Sequence, residues 1–378
     1  MKRTSRITWN ALLTPSLLLR RGEEQTFHSL LNRSEVKIYI FYSYGRVALL
    51  DGLRILGCKE GSNVLLPSYI CGVAVEPFRE LGIEPRFYEV SLNLQPDIKD
   101  VKSKIDDRTE AILIVNYFGF VQNLKAIYGI CRQKGLYLIE DNAHGFLSRN
   151  GSRLLGTCGD IGFSSICKTL PTPDGAILFI NNEKLLEGKE KIERARLSQN
   201  RLPQTSKRKI YTYILNSLLG NLELRYRFRA EFIRNIYRKL FPEAELSSSQ
   251  LFQDSKHRVS EVSLRIARNI DLEGVYNRRR QNYNFWLSVL CNREDVHILF
   301  RDLPDGICPL FFAVIEEEAD SFVKEMQDKG VQAYHWPPLP EEIKGNPEYP
   351  NANFLAEHLV TLPVQQNLNH DCLAGILG

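Results

Sequence analysis

Asp141 closes an apolar run, Leu138-Ile139-Glu140-Asp141-Asn142-Ala143-His144, and 27 residues further on Lys168 stands in Ser164-Ser165-Ile166-Cys167-Lys168-Thr169-Leu170-Pro171. An amine can hold an aldehyde as a Schiff base. A carboxylate can keep a pyridine nitrogen protonated, so that the ring takes up carbanion electrons. Pyridoxal phosphate needs that pair of groups. Neither residue carries the argument alone, because an Asp at a strand end commonly caps a helix and a Lys beside a turn is commonly solvated.

The surrounding elements raise the weight of the pair. Apolar runs at residues 64–67, 85–90, 111–115 and 136–139 alternate with helix-length stretches, a pattern that predicts a largely parallel sheet covered on both faces. Ligands of such sheets sit beyond the carboxyl ends of the strands, where Asp141, Asn116 and Ser68 all fall. A phosphate needs its own site. Upstream, Ser43-Tyr44-Gly45-Arg46 opens an apolar helix, where free N–H groups and the positive helix end could receive a dianion. Gly45 permits close approach, Arg46 or Ser43 could add a side-chain contact, and Ser164 or Ser165 could supply a further hydroxyl.

With those residues in order, the chain resembles the DegT/StrS family of sugar aminotransferases, within the aspartate aminotransferase-like pyridoxal phosphate enzymes. The matching stretches are YGRVALLDGLRILGCKEGSNVLLPSYICGVAVEPF, AILIVNYFGF, LYLIEDNAHGF, GDIGFSSICKTLPTPDGAILF, YHWPPLP and LAEHLVTLPVQQNLN, which together run from Tyr44 to Asn369. The resemblance implies an α/β chain of transferase fold type I, with a large, mostly parallel cofactor domain and a smaller C-terminal α/β domain. It implies that Lys168 carries the cofactor and shuttles the proton, while Asp141 pairs with the pyridinium nitrogen. Ala143 would lie against one ring face and Tyr69 near the other. His144 stands where many members carry Gln, beside the ring hydroxyl. Gly45, Arg46 and Ser165 would form the phosphate cup with Ser164 as the competing serine, and Asn116 would be a polar contact. There are departures: the lysine segment is one residue shorter than the commonest form, and Asp174-Gly175-Ala176 replaces the usual paired glycines. Lys168 sets the chain apart from the dehydratase branch, in which His takes that position.

Length and composition agree. A chain of 378 residues, 43% hydrophobic, can build a large sheet domain and a companion. The expected division is an N-terminal arm over 1–40, a cofactor domain over 41–200, a basic helical segment over 201–258 and a small domain over 259–378. Eight cysteines form no CxxC pair and no zinc-ribbon spacing, so they read as thiols of a reducing compartment, and no metal is expected. Cys167 is given no catalytic role. No run reaches the roughly 18 apolar residues of a membrane span. Lys2, Arg3 and Arg6 precede an apolar stretch over 9–19, but Arg20-Arg21 follows with no small-residue cleavage pattern, which reads as a helix or arm of a cytoplasmic protein.

The stretch 201–240 holds ten Lys or Arg against two Glu, a local charge of +8 in a chain of net +4. Tyr211, Ile214, Leu215, Leu218, Leu219 and Leu222 follow helical spacing, as do Phe228, Phe232, Ile233, Ile236 and Tyr237. One account is a helical hairpin with solvated arginines; the other is a basic face for a phosphorylated substrate or an anionic membrane, giving a possible peripheral membrane contact. Nucleic acid is not expected, because no binding fold accompanies the charge. His335-Trp336-Pro337-Pro338 either reaches substrate or packs. Two functions compete. One is an aminotransferase, for which the resemblance implies a nucleotide-linked keto-sugar acceptor, glutamate as donor, a homodimer, and a place in amino-sugar or surface polysaccharide biosynthesis. The other is a regulatory protein of the same fold acting through its basic segment.

Overall fold

A computed structural model describes residues 30–31, 36, 38–187, 189–201, 207–226, 250, 252–253 and 256–368. Among them the strands are β1 (Ile38–Tyr42), β2 (Asn63–Pro67), β3 (Glu84–Tyr88), β4 (Thr109–Val115), β5 (Tyr137–Asn142), β6 (Arg149–Asn150), β7 (Arg153–Leu154), β8 (Ile161–Ser165), β9 (Ala176–Ile180), β10 (His297–Ile298), β11 (Phe311–Ile315), β12 (Tyr334–His335) and β13 (Leu359–Pro363).

Seven strands form the main sheet in the order β1-β9-β8-β5-β4-β2-β3. The pairs from β8 through β5, β4 and β2 to β3 are parallel, and β9 runs against both β8 and β1. Every residue of β2, β8 and β9 is buried, as a sheet covered on both faces requires; β9 is an unbroken apolar run, while β8 ends in the buried pair Ser164-Ser165. The helix Gly45–Leu56 packs on this sheet closely enough that a Cβ on Gly52 would stand 2.7 Å from Ile161 Cδ1. Gly57 ends the helix in the left-handed conformation, at φ 81°.

A second sheet, β10-β11-β13-β12, is antiparallel throughout. The helix Leu272–Leu290 lies against it and buries Trp286, whose Nε1 donates to the Pro363 carbonyl at 2.8 Å. One hydrophobic cluster runs through both sheets, with Phe120 stacked on Phe300 at 4.1 Å where they meet.

The expected apolar runs all become strands. β1 starts at Ile38 and so crosses the boundary expected at 40/41. Beyond β9 the chain forms two helices, Glu183–Glu187 and Lys189–Arg201, and β12 is a short strand at Tyr334–His335. Within the basic stretch a helix spans Lys207–Tyr226, and on it Tyr211, expected on the apolar stripe, is 63% exposed while Ser217 and Leu219 are buried. Residues 1–29 and 227–249, with the apolar stretch 9–19 and the second expected stripe from Phe228 to Tyr237, lie outside the described residues. Among the described residues no helix is long and apolar enough to cross a membrane. The cysteines at 58, 71, 131, 158, 167, 291 and 308 are free thiols.

Candidate active site

Asp141 is the fifth residue of β5 and is 7% exposed. Its Oδ1 accepts from the Ala143 N–H at 2.9 Å, and burial pushes its carboxyl up to about 6, against a smaller opposing pull from the Lys168 ammonium. A carboxylate so placed is poorly solvated as an anion, and among the described residues it makes no ion pair. A protonated ring nitrogen would supply that charge.

Lys168 lies in the short helix Ile166–Thr169, directly after β8, and is exposed. Its Nζ stands 5.9 Å from the centre of the Trp336 ring, and Trp336 in turn meets His144 edge-on at 4.6 Å. Lys168, Trp336 and His144 therefore meet, and the Lys168 charge also reaches Asp141, far from it in sequence.

His144 is buried between Trp336 and Phe118, the latter parallel to it at 5.8 Å. Burial, and to a lesser extent the Lys168 charge, holds its imidazole well below the ordinary range, so the ring is neutral. The Phe118 N–H donates to Nδ1 at 3.2 Å, which leaves the single ring proton on Nε2. His144 thus presents an N–H donor, as a Gln amide would.

Strand register separates the two candidate serines. Asp141 pairs with Phe163 and Asn142 with Ser164, so alternation puts Ser165 on the Asp141 face and Ser164 on the other. Ser164 Oγ accepts from Asn142 Nδ2 at 2.9 Å, behind the sheet. Ser165 shares its face with Phe163, whose ring would stand 3.2 Å from a Cβ on Gly45. The helix Gly45–Leu56 therefore opens on the side of Ser165, and its N-cap residue Tyr44 makes no side-chain capping bond. Arg46 extends from that turn, its guanidinium 5.1 Å from the Tyr44 ring. The Cys167 thiol sits 3.4 Å from Ser165 Oγ, and burial pushes it up, away from nucleophilic use.

Two expected contacts act from one layer back. Asn116 sends its amide nitrogen toward Glu140 Oε1 and Asn142 Oδ1, 3.5 Å from each, on the face opposite Asp141. Tyr69 is fully buried and its hydroxyl donates to the Trp336 carbonyl, while Tyr117 donates to the Tyr69 carbonyl at 2.5 Å. Ala143 is buried beside Asp141. The glycine departure has a structural reason. Asp174 is fully buried and accepts from Ser260 N–H at 3.2 Å, Ser260 Oγ at 2.8 Å and Ser263 Oγ, so it ties β9 to the helix Glu261–Asn269. Gly175 takes φ 129°, which a side chain would strain, and its carbonyl accepts from the Ile166 N–H at 2.9 Å.

Trp336 is the residue whose role the sequence left open. An aromatic between two polar neighbours and two prolines gives no signal of which strand end it will meet. Tyr69 holding its carbonyl is a contact across 267 positions, invisible to any local pattern.

A reversed strand within an otherwise parallel seven-stranded sheet, a lysine turn after β8, an acid on β5 and a smaller antiparallel sheet define the fold class, an α/β chain with a mostly parallel central sheet. The model of the DegT/DnrJ/EryC1/StrS aminotransferase family matches residues 23–377, and the chain belongs to that family. It is 30% identical over 156 residues to a GDP-perosamine synthase of Vibrio cholerae, covering 40% of this chain and 42% of that relative. The stretch matched in the corresponding Escherichia coli protein likewise spans 41% of its length. A dTDP-4-dehydro-2,3,6-trideoxy-D-glucose 4-aminotransferase of Saccharopolyspora spinosa is 26% identical over 340 residues, 87% of this chain and 80% of the relative. Among solved structures, an aminotransferase of Helicobacter pylori involved in the biosynthesis of pseudoaminic acid superposes with a TM-score of 0.72 at 15% identity, over 98% of this chain and 97% of that one. That likeness speaks for the fold.

Proposed function

We propose that the chain is a pyridoxal phosphate-dependent aminotransferase that moves an amino group, from glutamate, to a keto-sugar carried on a nucleotide, in amino-sugar or surface polysaccharide biosynthesis. The observation that carries this reading is the meeting of Lys168, His144 and Trp336 above a buried Asp141 whose carboxyl is pushed up to about 6. The residues fit the cofactor: a buried acid in want of a positive partner, an accessible amine, a donor N–H, and a helix start with a serine on its side. Relatives named for keto-sugar and amino-sugar chemistry support the acceptor class.

When bound, the cofactor supplies a protonated ring that takes up the electron pair left as a substrate carbon loses its proton. Asp141 holds the proton at the ring nitrogen, as a carboxylate can and an amide cannot. Lys168 would hold the cofactor's aldehyde at Nζ and, as an amine, would take up and give back the proton of the donor's α-carbon. His144, with its proton on Nε2, would offer a donor to the ring oxygen. Gly45, Arg46 and Ser165 hold the phosphate, with Ser164 set behind the sheet. Ala143 backs one ring face. Tyr69 acts through Trp336 by holding its carbonyl, and Asn116 acts through the ends of β4 and β5. We further propose a cytoplasmic homodimer.

Borohydride reduction of the protein with pyridoxal phosphate tests the assignment. The phosphopyridoxyl label is expected on the peptide containing Lys168 and absent in Lys168→Ala; a label on another lysine overturns it.

A further inference from the structure

Arg279 is fully buried on the helix Leu272–Leu290, and no part of the site described above uses it. Its Nη2 donates to the carbonyl of Thr169, the residue after Lys168, at 3.0 Å. Its Nη1 donates to the carbonyls of Pro309 and Leu310 at 3.2 and 3.3 Å, just ahead of β11. Its Nε donates to Gln366 Oε1 at 3.2 Å, and Gln366 Nε2 reaches the same Thr169 carbonyl at 3.4 Å. Among the described residues these partners are carbonyl and amide oxygens, with no carboxylate.

A guanidinium taken out of water without a carboxylate is costly, several kcal/mol before its hydrogen bonds are counted. Dipoles offset part of that cost only when their geometry is fixed. Here the acceptors come from three separate segments: the lysine turn, the entry to the second sheet, and the chain that leaves β13. The same helix reinforces the arrangement from Asn282, whose Nδ2 donates to the Val364 and Gln365 carbonyls at 3.2 and 2.7 Å. Leaving the Thr169 carbonyl free would strand a buried charge, so the turn is held to the guanidinium in the folded state.

We propose that Arg279 is a positioning residue for Lys168: by clamping the Thr169 carbonyl to β11 and to Gln366, it locks the lysine turn to the second sheet, so that Lys168 and Trp336 keep one frame of reference. Trp336 follows β12 of that sheet, and its ring is the neighbour of the Lys168 amine. The amine is thereby kept facing the indole although it sits on a single turn of helix. The inference rests on Lys168 being the cofactor amine.

The test compares Arg279→Met, which keeps bulk and removes the donors, with Gln366→Ala, which spares the buried charge and removes one arm of the clamp. Amide hydrogen exchange is followed in the full-length protein. The Leu170 amide, bonded to the Ile166 carbonyl at 2.8 Å, reports on the turn, and β4 serves as control. The clamp requires at least a tenfold faster exchange over residues 166–170 in both variants with β4 unchanged. It also requires a shifted absorption maximum for added pyridoxal phosphate, and partial recovery of both readouts in Arg279→Lys. Unchanged exchange at 166–170, or an equal rise in β4, overturns the proposal and leaves Arg279 as packing. Failure of the wild-type protein to take a borohydride-fixed label at Lys168 instead removes the aminotransferase reading, while the exchange data still decide whether the clamp exists.

Discussion

At the scale of single residues, burial sets the chemistry and gives it a sign that can be measured. Asp141 keeps its proton in the folded, cofactor-free protein up to about pH 6, whereas an ordinary aspartate releases it near 3.8. The folded state therefore binds more protons than the unfolded state between those values, and stability falls as pH rises through that window. Two pH units correspond to about 3 kcal/mol, an upper bound on what the ionised acid costs above pH 6. Asp141→Asn should accordingly raise the urea midpoint of the cofactor-free protein at pH 7.5, and raise it much less at pH 4.5. With pyridoxal phosphate present the sign reverses, because the amide cannot balance a protonated ring. An Asn variant no more stable than wild type at pH 7.5 would contradict the burial argument. His144 gives a companion test: its imidazole resonances should not titrate between pH 6 and 9, and His144→Gln should bind cofactor within a few-fold of wild type. Loss of the donor in His144→Leu should weaken binding roughly five- to tenfold, the worth of about one neutral hydrogen bond. The types of these residues were legible in the sequence, since an acid after an apolar run and a lone lysine have few joint uses. Arg279 was not legible. It is one of three consecutive arginines with nothing local to single it out, and only a contact across 110 positions reveals its partner at Thr169.

At the scale of elements, periodicity exposed the strands but not their directions. A buried run such as β9 reads the same whether it lies parallel or antiparallel to β8, so its reversal waits on the turn at Asp174 and Gly175. Two adjacent serines are equivalent in sequence and opposite in a strand, which register alone decides. Ser165→Ala should weaken pyridoxal phosphate binding about ten- to a hundredfold, the range for a hydrogen bond to a charged group, with little effect on folding. Ser164→Ala should do the reverse, costing about 1 kcal/mol of stability through Asn142 and leaving cofactor affinity in place. Cofactor titrations and urea melts of the two variants check both halves. Equal losses of affinity would mean that the face assignment from the β5–β8 register is wrong. The same reasoning accounts for Asp174. In sequence it breaks a glycine pattern, while in the fold its carboxylate is the anchor of Ser260 and Ser263, a role set by residues about 86 positions away.

At the scale of the whole molecule, charge and assembly are the open variables, and both can be separated from cofactor chemistry. A homodimer is the proposed state, and sedimentation of an active monomer would remove it. The excess of +8 over residues 201–240 lies downstream of every cofactor residue in sequence, in a chain whose remainder carries −4. Its helix Lys207–Tyr226 turns Tyr211 outward and buries Leu219, so at least one face is packed and the charge is not explained by the packing. Exposed charges act at a distance of roughly a Debye length, about 8–10 Å at physiological salt, and their pull on a diphosphate-bearing substrate falls as salt rises. Changing Arg225, Arg227 and Arg229 to Gln should therefore leave cofactor labelling at Lys168 intact, slow only the acceptor half-reaction, and flatten its dependence on salt. An unchanged acceptor half-reaction together with weaker binding to anionic vesicles would assign the charge to a membrane surface. If neither changes, the segment serves structure alone, because a steering field cannot be removed without altering the approach of the charge it steers.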